Sequence, residues 1–342
     1  SEVYNYEIYK IMINSKNIDL NNKVVLVTGG TGSFGQKFVL HLLNNFNLKK
    51  LIIFSRDEQK QVEMQFSPLF KGKKELRFFI GDIRDVNRLK MAMRGVDYVV
   101  HAAALKHVPV AEYNPFECIH TNVLGAENVV TASLENGIKG VIALSTDKAV
   151  NPINIYGASK LAADKIFVAA NAFAGDVQTH FSIVRYGNVL GSRGSIVPMF
   201  KKLVEDGEKS LPITDERMTR FWITMEQGIG FVLSSMGLQK GGEIFVPKAP
   251  SMKIKDLISA FAPGMPTHTI GIRPGEKIHE VLVTEDDTSD ILDIGDRYII
   301  TPQYDPSITK EYIKDGATLI KGGFKYSSDN NNEWLDNKAF SE

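Results

Sequence analysis

The sequence predicts an α/β protein with a doubly wound parallel sheet, and three observations support this fold class. Short apolar segments rich in β-branched residues alternate with helical patterns through the first half of the chain. The first apolar segment leads directly into a glycine-rich turn and then a helix, the order found in dinucleotide-binding βαβ units. Polar side chains follow the ends of several segments, where open α/β sheets bind their ligands. We therefore expect a dinucleotide-binding domain and a smaller α/β lobe.

The predicted elements follow this alternation in chain order. Strands are expected at 24–27, 51–54, 76–80, 97–101, 140–144 and 181–185. The two longest helical patterns cover about 115–136 and 156–172. After residue 190 the alternation weakens into shorter elements, expected at about 197–206, 226–238, 244–246, 253–261 and 268–272. The expected organisation is an N-terminal arm at 1–22, a dinucleotide-binding domain at 23–190 with returning segments from the C-terminal part, and mainly a substrate-binding lobe at 191–342.

The composition indicates a neutral globular protein with small-molecule partners. The chain has 342 residues, of which 43% are hydrophobic, so it can bury a full core. Forty basic and forty acidic residues balance, and no long basic run provides the footprint of a nucleic-acid partner. Cys118 is the only cysteine, which excludes an internal disulfide and fits a reducing compartment. No apolar run approaches the roughly 18 residues of a membrane helix and no signal pattern is present, so we expect a cytoplasmic protein without a membrane partner.

The most specific motif is the glycine turn after the first strand. Gly30, Gly32 and Gly35 fit the spacing G-x-G-x-x-G, and Gly29, Gly32 and Gly35 fit the related G-x-x-G-x-x-G. Either spacing lets backbone amides at a helix N-terminus approach a pyrophosphate closely. The residues expected to contact a dinucleotide here are Gly29, Thr31, Gly32, Ser33, Phe34 and Gly35.

The end of the second strand predicts which dinucleotide binds. A free ribose 2′-hydroxyl usually meets an acidic residue about 20 residues beyond the glycine motif. Here Ser55 and Arg56 come first and Lys60 follows one helical turn later, which favours a 2′-phosphate and therefore NADP. Asp57 keeps NAD as the alternative.

Three further strand ends are expected to complete the cofactor site. Asp82, followed by Ile83, is placed to accept a hydrogen bond from an adenine amino group, although a role as helix N-cap explains it equally well. Small residues from Ala102 onwards let the backbone lie against the nicotinamide half, and Lys106 is placed to meet a phosphate or a hydroxyl. Ser145 lies at the C-terminal edge of the fifth strand.

The segment 145–160 carries the candidate acid and base groups. Asp147 and Lys148 follow a buried strand, and Tyr156 and Lys160 are four apart on one face of the next helix. A lysine one turn from a tyrosine favours the phenolate, which brings a pKa of roughly 10 towards the range useful for proton transfer. Each pair has an ordinary alternative, a solvated loop pair for the first and helix surface for the second. No metal site is expected.

Together these motifs resemble a known family. The segments at 28–35, 145–148 and 156–160 resemble the extended short-chain dehydrogenases/reductases that act on nucleotide sugars. The sequence is similar to the inverting UDP-N-acetylglucosamine 4,6-dehydratases that open pseudaminic acid biosynthesis, through the segments at 54–58, 103–109, 111–115, 185–189, 218–222 and 272–277. Relatives that retain the C5 configuration usually carry an N-terminal membrane region and a methionine in place of Tyr156, features that this sequence does not show.

The resemblance implies roles for individual residues. Asp147, Lys148 and Tyr156 are placed at the sugar, and Lys160 on the nicotinamide ribose. The substrate, UDP-N-acetylglucosamine, is expected to contact Lys106 as well, and its UDP part Asn188, Arg193, Thr214, Arg273 and Glu276. The lobe is also rich in arginine, which suits a diphosphate: Arg193, Arg217, Arg220 and Arg273. Related enzymes pair through their two long helices, so a homo-oligomer is expected.

The implied reaction is a dehydration with an internal redox step. Tyr156 takes the C4 hydroxyl proton while hydride passes to NADP. Lys148 then removes the C5 proton, if its pKa is lowered by Lys160 and the cationic nicotinamide, and Asp147 protonates the departing C6 hydroxyl. Hydride returns to C6 and leaves a 4-keto-6-deoxy sugar of inverted C5 configuration. Three alternatives remain: a retaining dehydratase, a nucleotide-sugar 4-epimerase and a non-enzymatic NADP-binding scaffold.

Overall fold

The computed structural model describes residues 18–175, 177–191, 196–287 and 289–335. Its strands are β1 (Val24–Thr28), β2 (Lys50–Ser55), β3 (Leu76–Ile80), β4 (Tyr98–His101), β5 (Gly140–Thr146), β6 (His180–Tyr186), β7 (Asn188–Val189), β8 (Leu211–Ile213), β9 (Thr219–Ile223), β10 (Ile244–Pro247), β11 (Ser251–Lys253), β12 (Thr267–Thr269), β13 (Val281–Val283), β14 (Ile291–Asp293), β15 (Arg297–Ile300), β16 (Thr318–Ile320) and β17 (Tyr326–Ser327). Its helices are α1 (Ser33–Asn45), α2 (Glu58–Phe66), α3 (Val86–Ala92), α4 (Val108–Tyr113), α5 (Pro115–Ile119), α6 (Gly125–Glu135), α7 (Ile155–Phe173), α8 (Ile196–Glu205), α9 (Met225–Leu238), α10 (Ile254–Phe261) and α11 (Pro306–Lys314). A π-helical turn, His120–Leu124, joins α5 to α6, and a short 3-10 helix, Asp147–Ala149, follows β5.

The central sheet confirms the predicted fold class. In the described part of the chain, ten strands pair in the order β16-β14-β15-β10-β6-β5-β4-β1-β2-β3. Strands β1 to β6 and β10 run parallel, whereas β14, β15 and β16 add an antiparallel edge. The order reverses between β1 and β4, and ligands of such sheets bind at this point, outside the carboxyl ends of the strands.

Apolar burial explains why these segments form strands of a central sheet. All five residues of β1 are buried, as expected for a parallel strand with both faces covered. The helices that cover the sheet form two contacting groups. Helix α1 contacts α9, and helix α6 contacts both α3 and α7. Their buried side chains, among them Phe38 and Phe167, share one core with the strands.

The C-terminal part forms a second, smaller core. Elements α8, β8, β9, β11 and α10 contribute to it around Trp222, which is fully buried, with Phe200 and Leu257. Strands β10, β14, β15 and β16 instead belong to the central sheet. The domain limits at 22 and 190 remain predictions.

Two predicted elements differ from the structure. The helix predicted at 115–136 is divided at the π-helical turn, where the Asn122 amide is bonded to both backbone groups of Leu105, at 2.8 and 2.9 Å. The Asn122 side chain is therefore held outside the helix at the point where the helix widens into a π-helical turn. The strand predicted at 268–272 covers only Thr267–Thr269, because its partner β8 is three residues long.

None of the described helices combines the length and apolar character needed to traverse a bilayer. Among the described residues, no group of three or more His, Cys, Asp or Glu side chains is arranged to hold a metal ion.

Candidate active site

A cleft of about 740 Å³ lies at the carboxyl ends of the parallel strands. Every residue predicted to contact the cofactor lines it, from the glycine turn at Gly29 to Lys160 in α7. The cleft therefore collects the ends of six parallel strands, β1 to β6, and the loops that follow them, as the topology requires.

The glycine turn is shaped for a close approach to a ligand. Gly29 has φ +69°, and a Cβ built on it would lie 2.9 Å from the backbone of Ala103. A Cβ on Gly35 would lie 2.5 Å from the Gly29 carbonyl oxygen. Helix α1 begins at Ser33, and in the described structure its first turn has neither a side-chain cap nor an acidic residue. This N-terminus therefore presents backbone N–H groups and the positive end of the helix dipole to the cleft.

Replacing Gly35 by alanine is expected to weaken dinucleotide binding by roughly 10- to 100-fold, because the added methyl group forces the turn to move at a cost of about 1–3 kcal/mol. Fluorescence titration with NADP measures this effect. Gly228→Ala in α9 is the matched control, since its Cβ would meet Ile223 at an ordinary 3.5 Å. Equal affinities of the two variants would contradict the assignment of the turn.

The adenosine end of the cleft contains both positive and negative side chains. The Arg56 side chain is 57% exposed and lies 3.9 Å from Asp82, while Lys60 pairs with Asp57 at 3.0 Å. Asp57 also caps α2 by accepting from the Lys60 amide at 3.0 Å. The alternative role of Asp82 as a helix N-cap is wrong, because Asp85 caps α3 and Asp82 instead bonds the backbone and guanidinium of Arg84.

The candidate acid and base groups lie where β5 ends. The Asp147 side chain is fully buried, and its Oδ1 accepts from Lys148 Nζ at 3.1 Å and from the Thr146 hydroxyl at 3.0 Å. Its Oδ2 has no hydrogen-bond partner within the described chain. Thr146 and Lys148 line the cleft, whereas Asp147 lies behind them.

Helix α7 supplies the second pair. Asn154 caps it by accepting from the Gly157 amide at 2.7 Å, which fixes the turn that carries Tyr156. Tyr156 and Lys160 both line the cleft, and Lys160 Nζ donates to the Leu144 carbonyl at 2.7 Å.

The prediction that the pKa of Tyr156 is brought down from its ordinary value is wrong. Burial raises the pKa of Tyr156 to about 12, and the cation that opposes this rise is Lys148. Burial, opposed by Asp164, lowers the pKa of Lys160 itself. Tyr156 is therefore a neutral phenol at neutral pH.

The predicted lowering of the Lys148 pKa also differs from the structure, because the residues around Lys148 raise this pKa. Burial acts to lower this pKa, but the carboxylates of Asp147 and Glu280 outweigh it and raise the pKa. These carboxylates lie 3.1 and 3.5 Å from Lys148 Nζ. The amine is therefore an ammonium ion at neutral pH.

The residues predicted to bind substrate divide into three groups. Lys106 and Asn188 line the cleft, and Asn188 Oδ1 is buried without a hydrogen-bond partner in the described structure. Thr214, Arg273 and Glu276 lie away from its lining; Thr214 donates to Met218 Sδ at 2.9 Å, and the exposed Arg273 uses its backbone amide to contact Glu276 at 3.4 Å. Arg193 lies outside the described residues.

Two other arginines of the lobe are engaged with carboxylates. Arg217 pairs with Asp215 at 2.7 Å on the surface, whereas Arg220 is buried, with its Nε 3.8 Å from Glu280.

Sequence reasoning missed two residues of this site. Thr146 is the last residue of β5, and its position beside Ser145 at a strand end was the signal that could have identified it. Glu280 follows no motif, and only the folded chain brings it to Lys148.

The fold, the glycine turn and the Tyr156–Lys160 pair beside it define an extended short-chain dehydrogenase/reductase. More specifically, the chain belongs to the polysaccharide biosynthesis protein family, whose model matches residues 25–302.

Individual relatives agree with this membership. The chain is 55% identical to a protein of Campylobacter jejuni named UDP-N-acetylglucosamine 4,6-dehydratase (inverting), over 93% of this chain and 96% of that protein. It is 42% identical to a protein of Rickettsia akari named UDP-glucose 4-epimerase, over 90% of this chain and 92% of that protein. The crystal structure of Pen from Bacillus thuringiensis has a TM-score of 0.86 and 34% identity, covering 95% and 97% of the two chains. The resemblance to the inverting dehydratases is thereby confirmed.

Proposed function

We propose that the protein is a C5-inverting UDP-N-acetylglucosamine 4,6-dehydratase that forms UDP-2-acetamido-2,6-dideoxy-β-L-arabino-hex-4-ulose. The observation that carries the proposal is the convergence of Tyr156, Lys148 and the buried Asp147 at the end of a cleft that starts at a dinucleotide-type glycine turn. The high identity to the Campylobacter jejuni relative supports the substrate and the reaction.

The cleft fits a nicotinamide dinucleotide. Its glycine turn leaves no room for side chains at Gly29 and Gly35, and its helix N-terminus suits a pyrophosphate. We propose that the turn holds the pyrophosphate, that Asp82 and Ile83 lie at the adenine, and that Ala102, Ser145 and Lys160 lie at the nicotinamide half. Such a cofactor, when bound, supplies a hydride acceptor for C4 and the same hydride for C6.

Tyr156 would take the proton of the C4 hydroxyl. As a neutral phenol it accepts that proton only if its own proton leaves. We propose Thr146 as the relay, since its hydroxyl donates to Asp147 Oδ1 at 3.0 Å and its side chain acts to lower the pKa of the phenol. The C4 proton thereby arrives as a proton on Asp147. Oxidation at C4 and the acid needed at C6 are then linked by one hydrogen-bond chain.

Loss of water needs an acidic C5 hydrogen, and the carbonyl at C4 provides the acidity. Lys148 as the neutral amine would remove the C5 proton, and protonated Asp147 would protonate the C6 hydroxyl, which leaves as water. Lys148 Nζ lies 3.1 Å from Asp147 Oδ1. The base and the acid are therefore close enough to act on C5 and C6, which are adjacent atoms of the sugar. For the UDP part we propose contacts with Lys106, Asn188, Arg193, Thr214, Arg273 and Glu276.

We propose NADP as the cofactor, because the Arg56 side chain is 57% exposed and only 3.9 Å from Asp82 at the mouth of the cleft, where it can reach a 2′-phosphate. Arg56→Ala is expected to weaken NADP binding about tenfold and to leave NAD binding nearly unchanged. Paired titrations with both dinucleotides measure the ratio. Arg94→Ala, at an exposed arginine outside the cleft lining, is the control. An equal loss for both dinucleotides would point to a pyrophosphate or structural role for Arg56.

A nucleotide-sugar 4-epimerase is the second candidate, favoured by the identity to the Rickettsia akari protein and by Tyr156 and Lys160. An epimerase needs no acid and base pair for C5 and C6, whereas Asp147 and Lys148 are in contact here. Incubation with UDP-N-acetylglucosamine in deuterated water separates the candidates. We expect a 4-keto-6-deoxy product with deuterium at C5 and inverted configuration by NMR; a retaining dehydratase gives the opposite configuration, and an epimerase gives no keto sugar.

Three further proposals concern the cellular role. Pseudaminic acid biosynthesis and a cytoplasmic location remain predictions from the sequence. A homo-oligomer is supported by large exposed apolar side chains on α4, α5 and the end of α7: Tyr113, Phe116 and Phe173.

A further inference from the structure

A buried carboxylate outside the predicted site faces the candidate base. Glu280 is 2% exposed, and its Oε1 lies 3.5 Å from Lys148 Nζ and 3.8 Å from Arg220 Nε. Its Oε2 is buried and has no hydrogen-bond partner among the described residues. A buried carboxylate oxygen without a donor is costly for folding alone, so it needs a functional explanation.

The backbone around Glu280 holds this carboxylate in position. The Glu280 amide donates to Ser328 Oγ at 2.9 Å, and the Ser328 amide donates to the Glu280 carbonyl at 2.8 Å. Arg220 donates to the carbonyl oxygens of Lys277 and Ile278, both at 3.0 Å. Lys277 Nζ in turn donates to the Val150 carbonyl at 2.5 Å, which ties this loop to the segment that carries Lys148.

The charged and titratable groups facing Lys148 come from several elements: Asp147 beside it, Tyr156 in α7, Arg220 in β9, and Lys277 and Glu280 in the loop before β13. Together they keep the amine protonated, since the two carboxylates outweigh burial and the neighbouring cations. Release of its proton to solvent at neutral pH is therefore unfavourable. If Lys148 is a base, the proton has to move to a neighbouring group.

Two groups are close enough to receive that proton. Asp147 is one, but in the proposed reaction it takes the proton that arrives through Thr146 and gives it to the C6 hydroxyl. Arg220 cannot act as a base because its guanidinium remains protonated. Glu280 is the remaining group in contact.

We propose that Glu280 is the proton acceptor of Lys148, an inference that rests on the proposed function. The Nζ–H bond of the ammonium breaks and an O–H bond forms on the Glu280 carboxylate, which leaves a neutral amine beside a neutral acid. Lys148 then takes the C5 proton and becomes an ammonium ion again. Glu280 loses its proton to solvent before the next turnover, which balances the proton that solvent supplies when C5 is reprotonated. Glu280 touches no substrate, so it is a positioning residue that acts through Lys148.

The test compares Glu280→Gln, which keeps the shape but cannot take a proton, with the whole wild-type protein and UDP-N-acetylglucosamine. Wild-type turnover is expected to vary little between neutral and mildly alkaline pH, because the proton moves internally. Glu280→Gln is expected to be roughly 10- to 100-fold slower at neutral pH and to recover as pH rises, because Lys148 must now lose its proton to solvent. With C5-deuterated substrate, the variant should show a larger isotope effect than the wild type.

Two further variants keep the outcome interpretable. Glu280→Asp retains a titratable carboxylate and is expected to be slower but to keep the flat pH profile. Glu285→Gln, the same change at an exposed glutamate just after β13, should behave as the wild type. A uniform loss at every pH in Glu280→Gln, or a pH-dependent Glu280→Asp, would overturn the proposal. Absence of wild-type turnover would instead refute the proposed function.

Discussion

Replacing Lys148 by alanine is expected to stop dehydration, lowering product formation by about 10²- to 10⁴-fold, while NADP binding stays nearly intact. The amine is the candidate base for C5, and no other amine among the described residues contacts Asp147. Cofactor contacts are predicted mainly at the glycine turn and the strand ends, so losing this side chain leaves them in place. NMR of the 4-keto product and titration with NADP measure the two properties in the same preparation.

Lys165→Ala provides the matched control, since it removes an exposed lysine of α7. Its turnover is expected to equal that of the wild type. Normal dehydration by the Lys148 variant would refute the assignment of the base.

Tyr156→Phe is expected to block the step before elimination, again by about 10²- to 10⁴-fold, because nothing then takes the C4 hydroxyl proton. Since burial raises the pKa of Tyr156 to about 12, deprotonation by solvent at neutral pH does not supply the phenolate, and the proposed relay through Thr146 to Asp147 is needed. Single-turnover absorbance of the reduced dinucleotide separates the two variants: the Lys148 variant should still oxidise C4, whereas the Tyr156 variant should not.

The control for this change is Tyr113→Phe, at a side chain that is 89% exposed. If the Tyr156 variant reduced the dinucleotide at the wild-type rate, a different group would have to take the C4 proton.

Local patterns were sufficient for the fold and the centre of the site. Apolar segments such as Val24–Thr28 become parallel strands because both of their faces are buried, and that requirement is visible in the sequence. Asp147, Lys148 and Tyr156 were predicted together because a strand end and the next helix start lie close along the chain. Their shared cleft follows from the doubly wound topology.

Predictions that depended on distant residues failed or were not made. Asp82 was weighed as a helix cap, but the side chain that caps α3 is that of Asp85, three residues later. The loop at Lys277 contacts the segment after Lys148, at Val150, across 127 positions of sequence, so no motif linked Glu280 to Lys148. The arginine Arg220 was assigned to a diphosphate, whereas folding directs it towards Glu280.

By itself, the sequence determined the sheet, the glycine turn and the set of groups available for chemistry, because each depends on neighbours within one βαβ unit. Only the tertiary structure decided which of these groups carry protons. The pKa values of Lys148 and Tyr156 respond to burial and to charges brought from other strands, and the electrostatic effect of a charge depends on distance in space and on solvent access, whatever the separation along the chain.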